Sequence, residues 1–363
     1  MPTLIRSLFH RYVPAQFQDP YGLLVRLLRT GDSAAYFAME TALLGVALTP
    51  LDLLLEVFEQ RRYARAPRPQ LPLIFVCGAP RTGTTLATQV LINNLPVTFL
   101  NNVTSVFPRS PLVANLLFGK LIPARPLGYH SYYGKSDHLS GPNDALYVWD
   151  RWLGKDRKRV RRALTDSEKN AMLQFFGAYE QAFGRPMVNK NNNLNVQANV
   201  VAEVLENAHF ICMTRDPVYL AQSLLRARRE IHGGDESAYG IANPSGADLA
   251  NGDPIEDVCR QVLFHEQKIA EQQRLIGTDR FWIVEYEAFC RQPARLVQLV
   301  ADQILGQKLD AERLSATLKP FQIANRVVIV PDQFASIQET ILRLKADAPE
   351  AALPIFQGIE VSP

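Results

Sequence analysis

Hydrophobic residues recur at helical spacing through the first seventy positions of the chain. Between Leu23 and Leu28 leucines stand at positions i, i+1, i+4 and i+5, and a similar pattern continues from Leu51 to Phe58. This spacing predicts an N-terminal layer of helices that packs its apolar face against the rest of the protein. An alternative is a helical hairpin that rests on a membrane surface, with five arginines facing phosphate headgroups (Arg26, Arg29, Arg61, Arg62 and Arg65).

The most apolar part of this region, residues 42–58, does not have the composition of a membrane-spanning helix. It contains Pro50, Asp52 and Glu56, whereas a spanning helix needs about 20 mainly apolar residues. We therefore expect buried or interfacial helices here.

A proline-rich segment from Ala66 to Pro72 separates the helical layer from a different pattern. The run from Leu73 to Cys77 is continuously apolar and ends at Gly78, which is typical of a strand buried on both faces of a parallel sheet. A helix is predicted to follow from Thr84 to Asn93. The first structural unit after the linker is therefore a strand, a glycine-bounded turn and a helix.

The same order occurs once more, and a third strand follows later in the chain. The run from His209 to Met213 predicts a second strand, followed by a turn and a helix through Arg229, and Phe281 to Val284 predicts a third strand. Alternating strands and helices indicate an α/β domain with a mostly parallel sheet flanked by helices. Residues 230–256 are rich in Gly, Asn, Asp and Ser and are expected to form a mobile loop. We divide the chain into an N-terminal helical extension (1–70), the α/β domain (71–330) and a C-terminal tail (331–363).

Composition narrows the possible functions. The chain has 363 residues, 47% hydrophobic and 21% charged, with a formal net charge of +3. That is ordinary globular composition, and the small charge argues against a general nucleic-acid binder. The cysteines have no metal-like spacing (Cys77, Cys212, Cys259 and Cys290), which favours buried free thiols and a reducing compartment over a disulfide scaffold. The first twelve residues do not resemble a signal peptide, so we expect a cytoplasmic protein, with peripheral contact at the inner membrane surface as the alternative.

The turn after the first predicted strand has the composition of an anion-binding loop. Gly78 and Gly83 permit a tight turn and a close approach of the backbone to a ligand, while the amides at the helix start point toward an anion. Several side chains add hydroxyl and guanidinium donors suited to oxyanions (Arg81, Thr82, Thr84 and Thr85). The spacing fits the first half of a Walker A motif, but Thr84 occupies the position of the P-loop lysine. Kinases and nucleotide hydrolases depend on that lysine and on Mg²⁺.

The second strand–turn–helix unit offers another anion site. Arg215 at the strand end can pair with a phosphate, and Ser223 lies two turns along the next helix, from which its hydroxyl can donate. Asp216 is expected to cap that helix, with Pro217 in its first turn. A surface salt bridge is the alternative role for Arg215.

These segments resemble the 3′-phosphoadenosine 5′-phosphosulfate (PAPS)-dependent sulfotransferases, above all the tyrosylprotein and bacterial carbohydrate-type members. The run from Pro80 to Thr85 is similar to the loop that surrounds the 5′-phosphosulfate, and Arg215 with Ser223 is similar to the 3′-phosphate site. The resemblance covers roughly Leu73 to Gly306. It implies a P-loop sulfotransferase fold with an N-terminal helical extension, PAPS as the donor substrate and no metal.

The resemblance also implies a role for Lys190, which follows Asn189 as in those relatives. The lysine there reaches the sulfuryl group, so Lys190 is the candidate for stabilising charge on the bridging oxygen, together with Arg81. Substrate contact and a polar turn are equal alternatives for the asparagines that follow, residues 191–193. The C-terminal Gly-x-x-Gly-x-Trp-Lys element of the hormone and phenol sulfotransferases is missing, which leaves the adenosine contacts unassigned.

The general base does not follow from the resemblance. In the tyrosylprotein relatives a glutamate follows the loop helix, and its gapless counterpart here is Asn101 or Asn102, neither of which can accept the proton. His138 and Asp144 are the favoured candidates, with His130 third, because they lie in a polar insert between the two predicted anion sites.

Aromatic and basic residues of the same insert have two possible roles. Two tryptophans and two tyrosines can stack on sugar rings or fill a core (Tyr132, Tyr133, Trp149 and Trp152). The basic run from Lys155 to Arg162 can line an entrance for an anionic acceptor or form a solvated helix face.

The sequence predicts an enzyme that transfers a sulfuryl group from PAPS to an acceptor hydroxyl, with a carbohydrate or glycolipid favoured. The alternatives are sulfation of a protein tyrosine or a small alcohol, a Mg²⁺-dependent phosphotransferase or nucleotide hydrolase, and a membrane-associated or scaffolding protein that keeps a degenerate nucleotide pocket.

Overall fold

The computed structural model describes residues 20–122, 128–129, 131–134, 136–155, 159–241 and 252–347. In chain order the first half contains α1 (Pro20–Arg29), α2 (Ser33–Ala47), α3 (Thr49–Tyr63), β1 (Leu73–Gly78), α4 (Thr84–Asn94), α5 (Val103–Val106), α6 (Pro111–Phe118), α7 (Leu146–Leu153), α8 (Asp166–Phe183) and β2 (Met187–Lys190). The second half contains α9 (Ala198–Ala202), β3 (Ala208–Thr214), α10 (Pro217–Ala227), α11 (Pro254–Ile276), β4 (Phe281–Glu285), α12 (Tyr286–Arg291), α13 (Pro293–Leu299), α14 (Ala311–Thr317) and α15 (Pro331–Asp347).

The four strands form one parallel sheet in the order β2-β1-β3-β4. After β1 the chain crosses to β2 on one side and later returns to β3 on the other. The carboxyl ends of β2 and β3 therefore flank the end of β1, which is the position where ligands bind in open α/β sheets.

Both faces of the sheet are buried. On β1, Phe75 and Cys77 enter an aromatic core with α7 and α8, while Ile74 and Val76 enter a second core with α4 and α13. Trp149 and Trp152 belong to the first core and are each 1% exposed. The continuous apolar run of the sequence thus reflects a strand covered by helices on two sides.

The N-terminal helices are held to this domain by two buried carboxylates of α3. Asp52 accepts hydrogen bonds from the amides of Arg109 and Ser110 and from the Ser110 hydroxyl, at 2.8–3.3 Å. About two turns further along the same face of the helix, Glu59 accepts from the amides of Leu112 and Val113 at 3.0 and 2.7 Å. Both carboxylates therefore satisfy orphan amides at the start of α6, where the helix dipole also favours negative charge.

Desolvation by burial raises the pKa of Glu59, although the hydroxyl of Tyr63 and the two amides oppose that shift.

Among the described residues no single helix is both long and apolar enough to cross a membrane. The pair α2 and α3 meets those criteria of length and composition only together, with a bend of 74° between the two helices.

The α/β fold with a mostly parallel sheet is confirmed, and the three predicted strands and the helices predicted after the first two lie at the expected positions. The strand β2 was not predicted, because its four residues include two polar side chains, Asn189 and Lys190. Residues 331–363 were expected to be a tail, whereas α15 packs on α10 and α11 through Ile337, Ile341 and Leu344. The domain boundaries stay a prediction, and part of the expected loop, residues 242–251, lies outside the described residues.

Replacing Asp52 should destabilise the protein strongly. The variant Asp52→Ala leaves three buried donors at the start of α6 without their acceptor, and we expect a loss of about 2–4 kcal/mol in the free energy of unfolding. Urea denaturation followed by circular dichroism measures this change. Asp302→Ala, at an exposed aspartate, is the matched control and should change stability by less than about 0.5 kcal/mol. Equal effects of the two substitutions would contradict the assigned role of Asp52.

Stability should also fall in mildly acidic solution because of His265. This side chain is 1% exposed and accepts a hydrogen bond from Asn195 Nδ2 at 2.7 Å, and burial lowers its pKa from 6.5 to about 4. In the unfolded chain this histidine is protonated below pH 6.5, whereas in the folded chain it stays neutral until about pH 4. The contribution of the neutral histidine to the free energy of unfolding is therefore present above pH 6.5. It is lost at up to about 1.4 kcal/mol per pH unit as the pH falls.

Comparison of the wild type with His265→Gln isolates this contribution. The difference between their free energies of unfolding should narrow as the pH is lowered from 7 toward 4. A difference that stays constant over this interval would show that the histidine does not titrate as its burial requires.

Candidate active site

A cleft of about 420 Å³ opens at the carboxyl edge of the sheet. The loop between β1 and α4 forms its floor, and side chains that follow β2 and β3 lie on either side. From Pro80 to Thr85 every residue except Thr82 lines it, as do Asp144, Lys190 and Arg215. The topology therefore brings together groups that are more than a hundred positions apart in the sequence.

The loop is shaped by two glycines that have no room for a side chain. Gly78 has φ +139°, and a Cβ there would lie 2.3 Å from the carbonyl oxygen of Met213 on β3. Gly83 precedes α4 with φ +85°, and a Cβ there would lie 2.5 Å from the ring of Tyr286. The loop is thus pressed between β3 and the start of α12, which gives the glycines a packing role as well as conformational freedom.

Arg81 lies at the exposed tip of the loop in an unusual backbone conformation. Its φ of +76° is rare for a residue with a side chain. The guanidinium donates from Nε to the hydroxyl of Ser223 at 3.1 Å and lies 4.6 Å from the ring centroid of Tyr133. The two anion sites predicted from the sequence are therefore in direct contact through Arg81 and Ser223.

Arg215 is half-buried and held on all three nitrogens. It donates to the carbonyl of Arg81 at 3.0 Å, to Asn325 Oδ1 at 3.0 Å and to the carbonyl of Ala324 at 2.8 Å. Its guanidinium carbon is 5.0 Å from the ring centroid of Tyr286, and burial lowers its pKa. None of these three acceptors is a carboxylate, so the hydrogen bonds fix the orientation of the guanidinium without forming an ion pair.

Lys190 ends β2 on the other side of the loop. Its ammonium is nearly buried, forms an ion pair with Asp144 at 2.7 Å, and donates to the Thr85 hydroxyl at 3.0 Å. A carboxylate and an ammonium therefore meet beside the start of α4, where they can exchange or stabilise charge on a bound substrate.

A network of buried asparagines fixes this pair. Asn143 donates to Asn102 Oδ1 at 2.6 Å, and its own carbonyl accepts from Asn189 at 3.1 Å. Asn189 in turn accepts from Trp149 Nε1 at 2.7 Å. The residues immediately before Asp144 and Lys190 are thus tied to each other and to the aromatic core. The backbone turns sharply after Asp144, because Ala145 is buried with φ +48°.

Asn102, at the position where the resemblance led us to seek a base, has a structural role. Its Nδ2 donates to Ser136 Oγ and to the His138 carbonyl, each at 2.8 Å. His138 Nδ1 lies 2.9 Å from Ser140 Oγ, and His138 is not among the described residues that line the cleft. The assignment of the base stays a prediction. Asp144 is the candidate that lies in the cleft, and His130 lies outside the described residues.

The structure separates the aromatic residues into two groups. Trp149 and Trp152 fill the core, while Tyr132 and Tyr133 line the cleft. The hydroxyl of Tyr133 donates to Glu230. Burial opposes ionisation of Glu230, but this bond and the bonds from Arg226 outweigh it and lower its pKa. Tyr239, beside them, has its pKa raised by burial to about 12.

The asparagines after Lys190 have mixed roles. Asn191 accepts from the amide of Asn193 at 2.8 Å and forms a turn, whereas Asn192 accepts from the Thr84 hydroxyl at 3.1 Å and lines the cleft. In the basic run, Arg161 is paired with Glu168 at 2.8 Å, and residues 156–158 lie outside the described residues. Among the described residues no group of three or more His, Cys, Asp or Glu side chains is placed to hold a metal ion.

Sequence reasoning missed the contribution of residues 321–328. Ala324 of this segment lines the cleft beside Arg215, and the segment's C-terminal end is held by hydrogen bonds between Gln222 and the backbone of Arg326 and Val328 at 2.9 and 2.8 Å. Asn325 also donates to Glu287 at 2.7 Å. The available clue was Tyr286-Glu287 at the start of α12, since both residues form hydrogen bonds with this segment.

Comparison with known proteins agrees with this geometry. The family model described as "Sulfotransferase family" matches residues 72–306. The structure is similar to that of sulfotransferase STF9 from Mycobacterium avium, with a TM-score of 0.56 at 15% identity over 97% of each chain. It is also similar to sulfotransferase STF1 from Mycobacterium tuberculosis H37Rv, with a TM-score of 0.51 at 12% identity over 91% of this chain and 93% of that one.

A search of curated protein sequences finds no significant match. At such low identity the two structures show the shared fold, and the family match, which covers well over half of the chain, shows membership. This protein belongs to the sulfotransferase family.

Proposed function

We propose that this sulfotransferase takes the sulfuryl group from PAPS and transfers it to a hydroxyl of a carbohydrate or glycolipid. The contact between Arg81 and Ser223 carries the proposal. It joins a phosphate loop without the P-loop lysine to a second cationic site across β1 and β3, and PAPS is a donor with anionic groups at both its 5′ and 3′ positions.

The two ends of the donor have separate binding groups. The 5′-phosphosulfate is held by the amides at the start of α4 with Arg81, Thr82, Gly83, Thr84 and Thr85. Arg215 and Ser223 hold the 3′-phosphate. Ser223 accepts from Arg81 and keeps its hydroxyl hydrogen for the phosphate. Both cations are already oriented, which reduces the entropy lost when the donor binds.

Transfer is an in-line displacement at sulfur. The acceptor oxygen forms a bond to sulfur while the bond from sulfur to the bridging phosphate oxygen breaks, and 3′-phosphoadenosine 5′-phosphate leaves. Asp144 takes the proton of the acceptor hydroxyl, and Lys190 donates a hydrogen bond to the bridging oxygen as negative charge develops there. Their ion pair at 2.7 Å keeps the lysine near the reacting atoms before the donor binds.

The acceptor class follows from the other wall of the cleft. Tyr132, Asn192 and Asn193 offer an aromatic face and polar groups for a sugar, while Leu23 and Leu27 of α1 offer apolar surface. A small alcohol or a protein tyrosine is the second candidate. We place the enzyme in the cytosol, which is supported by Cys77 and Cys212 lying opposite each other on β1 and β3 as free thiols.

Binding of the desulfated product tests the donor. Isothermal titration with 3′-phosphoadenosine 5′-phosphate, without Mg²⁺, should show tight binding to the wild type, and Arg215→Ala should weaken it about 10- to 100-fold by removing a charge-assisted hydrogen bond. Arg280→Ala is the matched control, because Arg280 also donates to backbone carbonyls but precedes β4 at the opposite edge of the sheet. Binding of ATP with Mg²⁺ in place of this product would overturn the donor assignment.

Transfer kinetics test the base. With [³⁵S]PAPS and octyl glucoside as a model acceptor, Asp144→Asn should lower kcat about 10²- to 10⁴-fold, the usual contribution of a general base. Product binding by titration should change little, since Asp144 is assigned to the acceptor. His138→Gln is the comparison variant and should retain most of the activity. A collapse of kcat in His138→Gln with activity retained in Asp144→Asn would reverse the assignment.

A further inference from the structure

Exposed apolar side chains are concentrated on the N-terminal helices. Of seventeen large hydrophobic residues that are exposed in the described part of the chain, nine lie on α1, α2 and α3. Seven of them surround the bend between α2 and α3 and are 41–72% exposed: Leu43, Leu44, Val46, Leu53, Leu54, Val57 and Phe58. We call these seven residues the apolar corner. Single exposed hydrophobic residues are ordinary, but a concentrated set marks an interaction surface.

The outward face of α3 changes from apolar to cationic along its length. Residues 53, 54, 57 and 58 of the apolar corner are followed at the same helical spacing by three exposed arginines, Arg61, Arg62 and Arg65. The Arg61 guanidinium lies 5.8 Å from the Phe58 ring centroid. Of the four carboxylates on α2 and α3, Asp52 and Glu59 are buried and Glu56 is paired with Arg109 at 3.2 Å. The fourth, Glu40 on α2, is exposed.

The buried carboxylates fix which face of α3 is presented. Asp52 and Glu59 are 1% and 0% exposed and hold the start of α6. Both belong to the face opposite the apolar corner, so α3 cannot bury its apolar side against the protein without breaking these bonds. The same bonds anchor α3 along the protein body, which suits a helix lying on a membrane surface and not one crossing it.

We propose that the apolar corner and the three arginines dock on an anionic lipid bilayer. The leucines, Val57 and Phe58 enter the interfacial layer, and Arg61, Arg62 and Arg65 contact lipid phosphates while their stems cover apolar surface. The positive charge of this surface complements a bilayer that carries anionic lipids, and this charge complementarity selects a membrane as the occupant.

Docking would place the acceptor side of the cleft beside the bilayer. Leu23 and Leu27 of α1 and Ala35 and Ala38 of α2 line the cleft, while Leu24 and Leu28 on α1 are 45% and 55% exposed. The helix α2, which carries part of the docking surface, therefore also forms part of the apolar wall of the cleft. A bilayer lipid bearing a hydroxyl headgroup would approach the cleft from this side.

Vesicle binding tests the proposal. Co-sedimentation is measured with vesicles of phosphatidylcholine alone and with about one third phosphatidylglycerol, and the wild type should bind the anionic vesicles, less tightly as salt is raised. The triple variant Arg61→Gln, Arg62→Gln, Arg65→Gln should lower the partition coefficient on the order of 100-fold. The double variant Leu54→Glu, Phe58→Glu should lower it by at least about ten-fold.

Two control variants carry the same types of substitution, leucine to glutamate and arginine to glutamine, at exposed positions outside the docking surface. Leu342→Glu changes a leucine that is 70% exposed on α15, and Arg274→Gln, Arg291→Gln, Arg313→Gln changes three exposed arginines of α11, α12 and α14. Neither control should affect vesicle binding. Binding that the two control variants weaken as much as the corner variants would overturn the proposal.

Two further outcomes would also overturn it. One is absence of vesicle binding by a wild type that still binds 3′-phosphoadenosine 5′-phosphate. The other is a wild-type dimer, seen by light scattering, that does not bind vesicles and that the variant Leu54→Glu, Phe58→Glu dissociates. The apolar corner would then contact a second copy of the chain. Product titration on every variant keeps the proposals apart, since vesicle binding without product binding would defeat only the proposed donor.

Discussion

The close contact between the ends of β1 and β3 determines most of the site. At Gly78, the last residue of β1, a single added carbon would lie 2.3 Å from the Met213 carbonyl on β3, so the loop between β1 and α4 must leave the sheet directly against the strand that leads to Arg215. This approach allows the Arg215 guanidinium to donate to the backbone of Arg81 and Arg81 to reach Ser223. A larger residue at position 78 would force β1 and β3 apart and would move the two predicted anion sites away from each other.

The opposite side of the loop depends on a different kind of constraint. Lys190 is held by polar contacts, and the asparagines at 102, 143 and 189 share hydrogen bonds that leave few arrangements for the backbone on either side of Asp144. Buried amides that are fully paired are rigid, and they are costly when one partner is removed. The strained turn at Ala145, which costs about 1–2 kcal/mol, is tolerated because this network and the aromatic core fix the segments on both sides of it.

These two constraints explain which parts could be predicted from the sequence. The loop and Arg215 were found because each is a local pattern: an apolar run, a turn with glycine or proline, and a helix. Asp144 was one of three candidates because its contact with Lys190 joins segments 46 positions apart, and no local spacing records it. The strand β2 was missed because its polar Asn189 and Lys190 interrupt the apolar run that marks a buried strand. Asn325 was missed because its partners, Arg215 and Glu287, lie just after β3 and β4, far from it in the sequence.

The N-terminal helices show how a buried charge can determine an exposed surface. A carboxylate taken out of water is stable only when its oxygens are paired, and Asp52 and Glu59 find their donors at the start of α6. Seven residues separate them, close to two turns of helix, so they project from one face of α3 and leave the opposite face to the solvent. The amphipathic pattern would otherwise be expected to turn its apolar side inward. Because the acids occupy the inward side, the apolar residues of α3 face outward, next to α2, which also lines the cleft.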